Sequence, residues 1–416
     1  MILKTVKRCR VCGSRHLIPI LSLGNQYVTN FLDSPKAKSY KAPLDLVLCD
    51  TKKGGCGLLQ LKHTFNHDIL YRKYWFRSGI STTLVKALAD VVNKAERVVD
   101  LESGDLVIDI GSNDGTLLKQ YKGKNITRVG FEPSNLWKFA SGRNLVSIHD
   151  YFNYGSFSRR FKGRKAKIIT SIAMFYDLDD PNKFVEDITR CLDDNGLWII
   201  QMNYLYLMLK DNTFDNISHE HLEYYSLLSL EKLLGRHGLE VMDVELNEVN
   251  GGSFRIYIRK KGADVKPLVG AEGRVLRLKA LEKRAGMDTI RPYLSFARRI
   301  KMIGTSLHSF LEKQKRMGKS VFIYGASTRG LVILQFARIT NRLIIAATDK
   351  NPEKWGKYIV GTGIPIISID EYRRRKPDYL FILPYHLNKE IRSQESRFLN
   401  KNGKMIVPIP KFKIYG

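Results

Sequence analysis

The sequence predicts an α/β protein with one parallel-sheet unit in the middle, a second at the C-terminus and a small cysteine-rich module in front. Three observations predict it. From about residue 104 to 260, strand-like and helix-like patterns alternate, as they do when helices cover both faces of a parallel sheet. The alternation resumes at Val321, and each run opens with an apolar strand followed by a glycine-containing turn. Four of the five cysteines fall within the first 56 residues.

The 416 residues, at about 150 per domain, suggest two or three domains. We divide them at 1–65, 66–260 and 261–416. Apolar content of 44% and charged content of 26% exclude a disordered tail protein, a coiled coil and a disulfide scaffold. No apolar run is long enough to span a bilayer. The first residues carry charges where a signal peptide needs an apolar core, so a cytoplasmic location is expected. The net charge is +28, carried by the flanks. Residues 1–100 hold 17 Lys/Arg against 7 Asp/Glu, residues 261–416 hold 32 against 12, and the middle holds 20 against 22. Basic flanks attract anions such as phosphorylated small molecules or nucleic acid.

In the first unit, Cys9 and Cys12 form a C-x-x-C, and Cys49 and Cys56 form a looser pair. Four sulfurs with no open position suit a structural Zn²⁺; His16 and His63 are alternative ligands. Cys191 reads as core, in an apolar strand region. Thr82–Asp100 has helical apolar spacing, and a strand follows at Leu106–Ile110.

That strand runs into Asp109-Ile-Gly111-Ser-Asn113-Asp114-Gly115. Glycines there let a ligand approach the backbone, and the helix expected beyond would meet a polar group. Glu132 follows Gly111 by 21 residues, the place of an acid that grips a ribose diol. A dinucleotide site would prefer G-x-G-x-x-G. The spacing here is that of S-adenosylmethionine (SAM) methyltransferases, so SAM is the expected cofactor, with Asp109, Gly111, Asn113, Asp114, Gly115 and Glu132 around it. Asp150 and Tyr151 are placed at its adenine. Further on, Ser218-His219-Glu220-His221-Leu-Glu-Tyr224-Tyr is the densest cluster of proton-handling groups. A His beside a carboxylate can be kept basic enough to take a proton. On an extended segment the two histidines would share a side, so a metal there is a second reading. Asn250-Gly-Gly-Ser253-Phe-Arg255 reads as a glycine turn into a strand.

Residues 261–319 read as a helical bridge broken by Gly286 and Pro292. The last unit then has strands at Val321–Tyr324, Ile344–Thr348, Tyr379–Leu383 and Met405–Pro408. Its turn, Tyr324-Gly325-Ala-Ser-Thr-Arg329-Gly, repeats the logic of the first, with Asp349 24 residues after Gly325.

Taken in order, the cysteine quartet, the D-x-G-S-N-D-G turn, the His-Glu-His stretch with its Gly-Gly-Ser-x-Arg sequel and the C-terminal glycine turn resemble a known family. It is the three-domain sugar C-methyltransferases acting on nucleoside-diphosphate 4-keto sugars. The resemblance implies a class I SAM-methyltransferase domain between a zinc-binding domain and a second Rossmann-like domain. It implies His221 as base, Glu220 as its orienting neighbour, His219 as an alternate and Tyr74 as holder of the enolate. It also implies substrate contacts from Ser218, Tyr224, Asn250, Ser253, Arg255, Tyr324, Gly325, Arg329, Asp349 and Tyr385. Ser218 and Phe76 stand where the family often has Tyr. The implied partner is a nucleoside-diphosphate sugar, with no membrane and a monomer or homodimer; nucleic acid is disfavoured but left open by the basic charge. Two other readings remain: an RNA or tRNA methyltransferase with a zinc ribbon, and a SAM-binding homologue that has lost sugar methylation.

Overall fold

The computed structural model describes residues 2–28, 31–72, 74, 76–122 and 125–416. The middle of the chain forms a seven-stranded sheet. Its strands are β1 (Leu106–Ile110), β2 (Thr127–Phe131), β3 (Leu145–Ile148), β4 (Ala166–Ile172), β5 (Leu192–Asn203), β6 (Leu239–Asn247) and β7 (Ser253–Lys260). Their order across the sheet is β3-β2-β1-β4-β5-β7-β6. β1 to β5 run parallel, and β7 is antiparallel to both its neighbours. β1, all five residues buried, is central because only an apolar strand survives between two helical layers. The chain moves from β1 to one side through β2 and β3, then crosses to β4. The crevice between the ends of β1 and β4 is therefore a topological switch point, where open α/β sheets bind ligands.

The amphipathic helix expected over 82–100 is observed at Thr82–Val98, capped by the Ser81 hydroxyl and burying Leu88, Val91, Val92 and Ala95. Cys191 is buried, as expected for core, but at the end of the helix Pro181–Cys191 rather than on a strand. After the turn of β1 only a short 3₁₀ turn forms, Leu118–Gln120.

The expected helical bridge is two helices of different allegiance. Ala271–Arg284 packs on β6, and its buried Glu282 accepts from Tyr204 and from the Leu227 and Leu228 amides. A turn at Gly286 (φ +67°) breaks the run. Pro292 breaks nothing: it lies in the first turn of the second helix, Arg291–Arg316, where its missing N–H is no loss. The first of these helices thus extends the methyltransferase-like unit past residue 260.

The C-terminal sheet has a parallel centre of Ile364–Ile367, Ala346–Thr348, Val321–Tyr324, Tyr379–Ile382 and Lys404–Val407. It is the second Rossmann-like unit; four of these strands lie within two residues of their expected ends, and Ile364–Ile367 was not expected. The N-terminal module is a four-stranded sheet of Leu17–Tyr27, Lys41–Cys49, Leu59–Leu61 and, from far along the chain, Glu223–Tyr224. In return, Phe31–Leu32 pairs with Tyr358–Ile359 at the edge of the C-terminal sheet. The first 65 residues are therefore woven into both larger units. Among the described residues no helix is long and apolar enough to cross a membrane.

Candidate active site

Cys9, Cys12, Cys49 and Cys56 converge, with their sulfurs within 4.8 Å of one another. Cys9 and Cys56 are 3.4 Å apart, and Cys12 and Cys49 are 3.5 Å apart. A tetrahedron of ~2.3 Å Zn–S bonds needs sulfurs about 3.8 Å apart. The Cys56 amide donates to the Cys49 sulfur (3.3 Å), and a Cβ on Gly55 would meet that sulfur and the Asp50 carbonyl at 2.6 Å. Gly55 is therefore what lets the insert between the second pair fold back into a knuckle. Such crowding opposes full ionisation without a cation at the centre; the Cys49 sulfur pushes Cys9 up to about 12. The set fits a structural Zn²⁺, and His16 and His63 are outside it.

A cavity of about 710 Å³ opens at the switch point. One half is built by the turn after β1. Gly111 adopts φ +72°, and its amide and that of Ser112 both donate to the Phe131 carbonyl at the end of β2. Asn113, at φ +53°, donates its amide to Glu132 (2.7 Å), whose other oxygen accepts from the Ser134 amide (2.9 Å). Asp109 accepts from the Thr170 hydroxyl (2.6 Å), and burial pushes its carboxyl up to about 7. Asp109, Gly111, Asn113, Glu132 and Tyr151 all line the cavity. So does Ser112, whose buried hydroxyl has no partner among the described residues. Backbone exposed by glycine, a buried carboxylate at the ribose position and a free hydroxyl fit SAM.

Three expected cofactor residues do other work. Gly115 (φ +74°) leaves no room for a ligand, since a Cβ there would sit 3.0 Å from Ala140. The Asp114 carboxylate accepts from the Gly79 amide and the Thr116 hydroxyl, so it pins the 76–81 strap across the site. Asp150 turns to the Tyr151 amide and the Ser156 hydroxyl and is absent from the cavity wall.

The other half of the cavity holds His221, Glu220, Ser218, Tyr74, Asn250, Ser253 and Arg329. His221 Nδ1 lies 2.7 Å from the Asn216 carbonyl, which can only accept. Nδ1 therefore carries the proton, and Nε2 keeps a lone pair. The ring meets Tyr176 edge-on, with centroids 4.5 Å apart. Burial lowers His221 to about 4 and raises Glu220 to about 7. The expectation of a His kept basic by its neighbouring carboxylate is overturned: Asn216 and Tyr176 orient the imidazole, and desolvation keeps it neutral. His219 is elsewhere. A turn from Asn216 to His221 separates the pair, and His219 is buried beside Phe65 with Nε2 3.0 Å from the Ala42 carbonyl. The two histidines share neither a side nor a metal.

Of the other expected substrate residues, several serve the frame. Tyr224 donates to the His221 carbonyl (3.0 Å). Arg255 runs under the sheet to Asp90 (2.8 Å) and Gln201 (2.9 Å). Tyr324 is in the C-terminal core facing Glu395, and a Cβ on Gly325 would strike Pro384 at 2.7 Å. Asp349 is committed to Lys354 (3.0 Å). Tyr385 donates to Asp215 (3.1 Å) and accepts from Arg329 (3.0 Å). Arg329 reaches the cavity from the start of Thr328–Phe336, but Asp215 (2.7 Å) neutralises it and the Asn250 carbonyl (2.7 Å) fixes it. It closes the wall rather than offering a free charge to a diphosphate. The Tyr74 backbone is anchored by the Asn135 side chain (2.8 Å).

Sequence reasoning missed Tyr71, Tyr176 and Asp177, which also line this half. Tyr71 donates to the Glu220 carbonyl (2.8 Å), and the Tyr176 carbonyl accepts from the Leu222 amide (2.8 Å). Burial, together with the Glu220 and Glu223 charges, holds Asp177 well above the usual carboxylate range. For Tyr176 and Asp177 the signal was their place just beyond β4 at the switch point; Tyr71, at the end of the helix His67–Tyr71, carried none.

Sheet order, turn and cavity define a class I SAM methyltransferase, flanked by a metal knuckle and a second Rossmann-like unit. Family models match in the same order: a proposed zinc binding domain over 9–71, a methyltransferase domain over 82–244 and a C-methyltransferase C-terminal domain over 248–410. The chain is a SAM-dependent methyltransferase whose units match, in order, models of a zinc-binding, a methyltransferase and a C-methyltransferase C-terminal domain. C-methyltransferase NovU of Streptomyces niveus is 29% identical over 421 residues, covering 99% of this chain and 98% of its own. Among solved structures, a SAM-dependent methyltransferase of Clostridium acetobutylicum matches 42% of this chain and 92% of its own, at 14% identity and a TM-score of 0.33. The magnesium protoporphyrin IX methyltransferase of Synechocystis matches 43% and 82%, at 12% identity and a TM-score of 0.32. Neither structural likeness carries weight for function.

Replacing Glu132 by Ala removes a charged acceptor from the SAM half and frees two backbone amides. SAM affinity measured by calorimetry is expected to fall about tenfold or more; unchanged affinity would contradict this placement.

Proposed function

We propose that this enzyme transfers the SAM methyl group to the carbon beside the ketone of a nucleoside-diphosphate keto sugar. The observation that carries the reading is that one cavity joins the SAM turn to a neutral imidazole with its Nε2 lone pair free. His221 Nε2 takes the proton from the carbon next to the ketone, and the C–H electron pair shifts onto the ketone oxygen as an enolate. A developing oxyanion needs donors. Asp177, whose carboxyl burial holds well above the usual range, and the Tyr74 hydroxyl can supply them from the same wall. SAM would supply the methyl group that the enolate carbon takes, its S–CH₃ bond breaking to release S-adenosylhomocysteine while the abstracted proton stays on His221 Nε2. The full-length likeness to a C-methyltransferase supports carbon as the acceptor, and the sugar follows from the sequence resemblance. The test is methyl transfer from labelled SAM to a thymidine-diphosphate 4-keto-6-deoxyhexose. Label entering RNA instead would favour the zinc-ribbon alternative.

The lowered histidines also set a pH dependence. His219 and His221 are each held at about 4 by burial, below the ordinary 6.5. The unfolded chain takes up protons below 6.5 that the folded chain refuses until about 4. This contribution to stability is therefore complete above about 6.5 and is lost progressively down to about 4. Melting midpoints should fall across that window, and His219→Asn should make the fall shallower. A flat profile from 6.5 to 4 would contradict the burial of these rings.

A further inference from the structure

We propose that Arg10, set between two metal-ligating cysteines, is a positioning residue that passes the order of the metal knuckle to the segment carrying His221. The inference rests on His221 being the base. Arg10 is 8% exposed. Its amide and Nη1 both donate to the Gln60 side-chain oxygen (3.2 and 3.1 Å). Nη1 also donates to the Leu61 carbonyl (2.7 Å) and Nη2 to the Thr64 hydroxyl (2.8 Å). One guanidinium thus clamps the strand that leaves the knuckle three residues after Cys56. That strand is the partner of Glu223–Tyr224, with Gln60 directly opposite Glu223 and the Leu61 amide donating to the Leu222 carbonyl (2.8 Å). His221 is the next residue.

Buried polar atoms trace the same line. Glu223 is 1% exposed, and neither carboxyl oxygen has a hydrogen-bond partner among the described residues; nor does the Gln60 side-chain nitrogen across from it. Burial holds this carboxyl well above its usual range; Arg10 is the cation that offsets the shift, while Asp179, 3.7 Å from the guanidinium and shared with Lys4, and Asp180 add to it. A flat fork that bonds a side-chain amide, a carbonyl and a hydroxyl together is a task for Arg, and Lys can meet only part of it. The contacts run knuckle, Arg10, Gln60, Glu223 and Leu222, then His221, without a gap.

The test compares Arg10→Met and Arg10→Lys in the full zinc-loaded chain. Arg10→Met should keep its zinc and its SAM affinity, because neither site uses the guanidinium. Amide hydrogen exchange at Leu61 and Leu222 should quicken about tenfold or more, while Ile108 and Val129 in the central sheet stay protected. Methyl-transfer kcat should fall with little change in KM, and Arg10→Lys should recover part of both effects. Unchanged protection at Leu61 and Leu222 would overturn the proposal, as would loss of zinc, which would make Arg10 a prop of the metal site alone. If Arg10→Met does not fold, Gln60→Leu decides by the same exchange readout. The exchange data need no substrate, so they stand even if the sugar reading fails.

Discussion

His221→Asn is expected to lose most turnover, a factor of about 10²–10⁴ for a missing acid–base group, with SAM affinity unchanged. The geometry makes the effect specific. Asn can still donate to the Asn216 carbonyl in place of Nδ1, but it offers no basic nitrogen where Nε2 was. The half of the cavity proposed for SAM, built by Glu132 and the Gly111 turn, is not touched by the change. His219→Asn is the control: it removes a buried contact to Ala42 and Phe65, so it should cost stability and leave kcat near wild type. If His219→Asn abolishes turnover and His221→Asn does not, the roles are reversed.

Cys49→Ser should have the largest effect on the fold. Cys49 is fully buried, accepts from the Cys56 amide and faces Cys12. Its loss should take zinc content from about one per chain toward none and lower the melting midpoint by about 10 °C or more. Activity should fall with stability, because the knuckle leads into the Leu59–Leu61 strand that supports the His221 segment. Full zinc content in Cys49→Ser would show that the sulfurs do not form the site.

What the sequence makes legible is local. The Gly111 turn and Glu132 are joined by one strand-turn-strand unit, and spacing along it carries their geometry. The cysteine pairs are legible for the same reason, because each ligand pair is close in sequence. His221 is legible as chemistry, but its separation from His219 is decided by a turn whose bonds involve Asn216 and Ser218. The carboxyl–imidazole pairing fails because burial, which no spacing reports, governs both groups. Tyr71, Tyr176 and Asp177 are invisible until the chain closes, since they meet Glu220 and Leu222 across long sequence separations. Gly115 looks like a ligand glycine but is required by packing on Ala140, and a motif cannot tell the two demands apart.

In the proposed reaction the methyl group goes to carbon, beside a ketone, on a sugar nucleotide. The most direct measurement is carbon NMR of the product formed from methyl-¹³C SAM and a thymidine-diphosphate 4-keto-6-deoxyhexose in deuterated water. The account predicts a new methyl on the carbon beside the ketone. It also predicts solvent deuterium entering that carbon when S-adenosylhomocysteine replaces SAM, and both signals should vanish in His221→Asn. A methyl on oxygen, or carbon methylation that survives in His221→Asn, would contradict it.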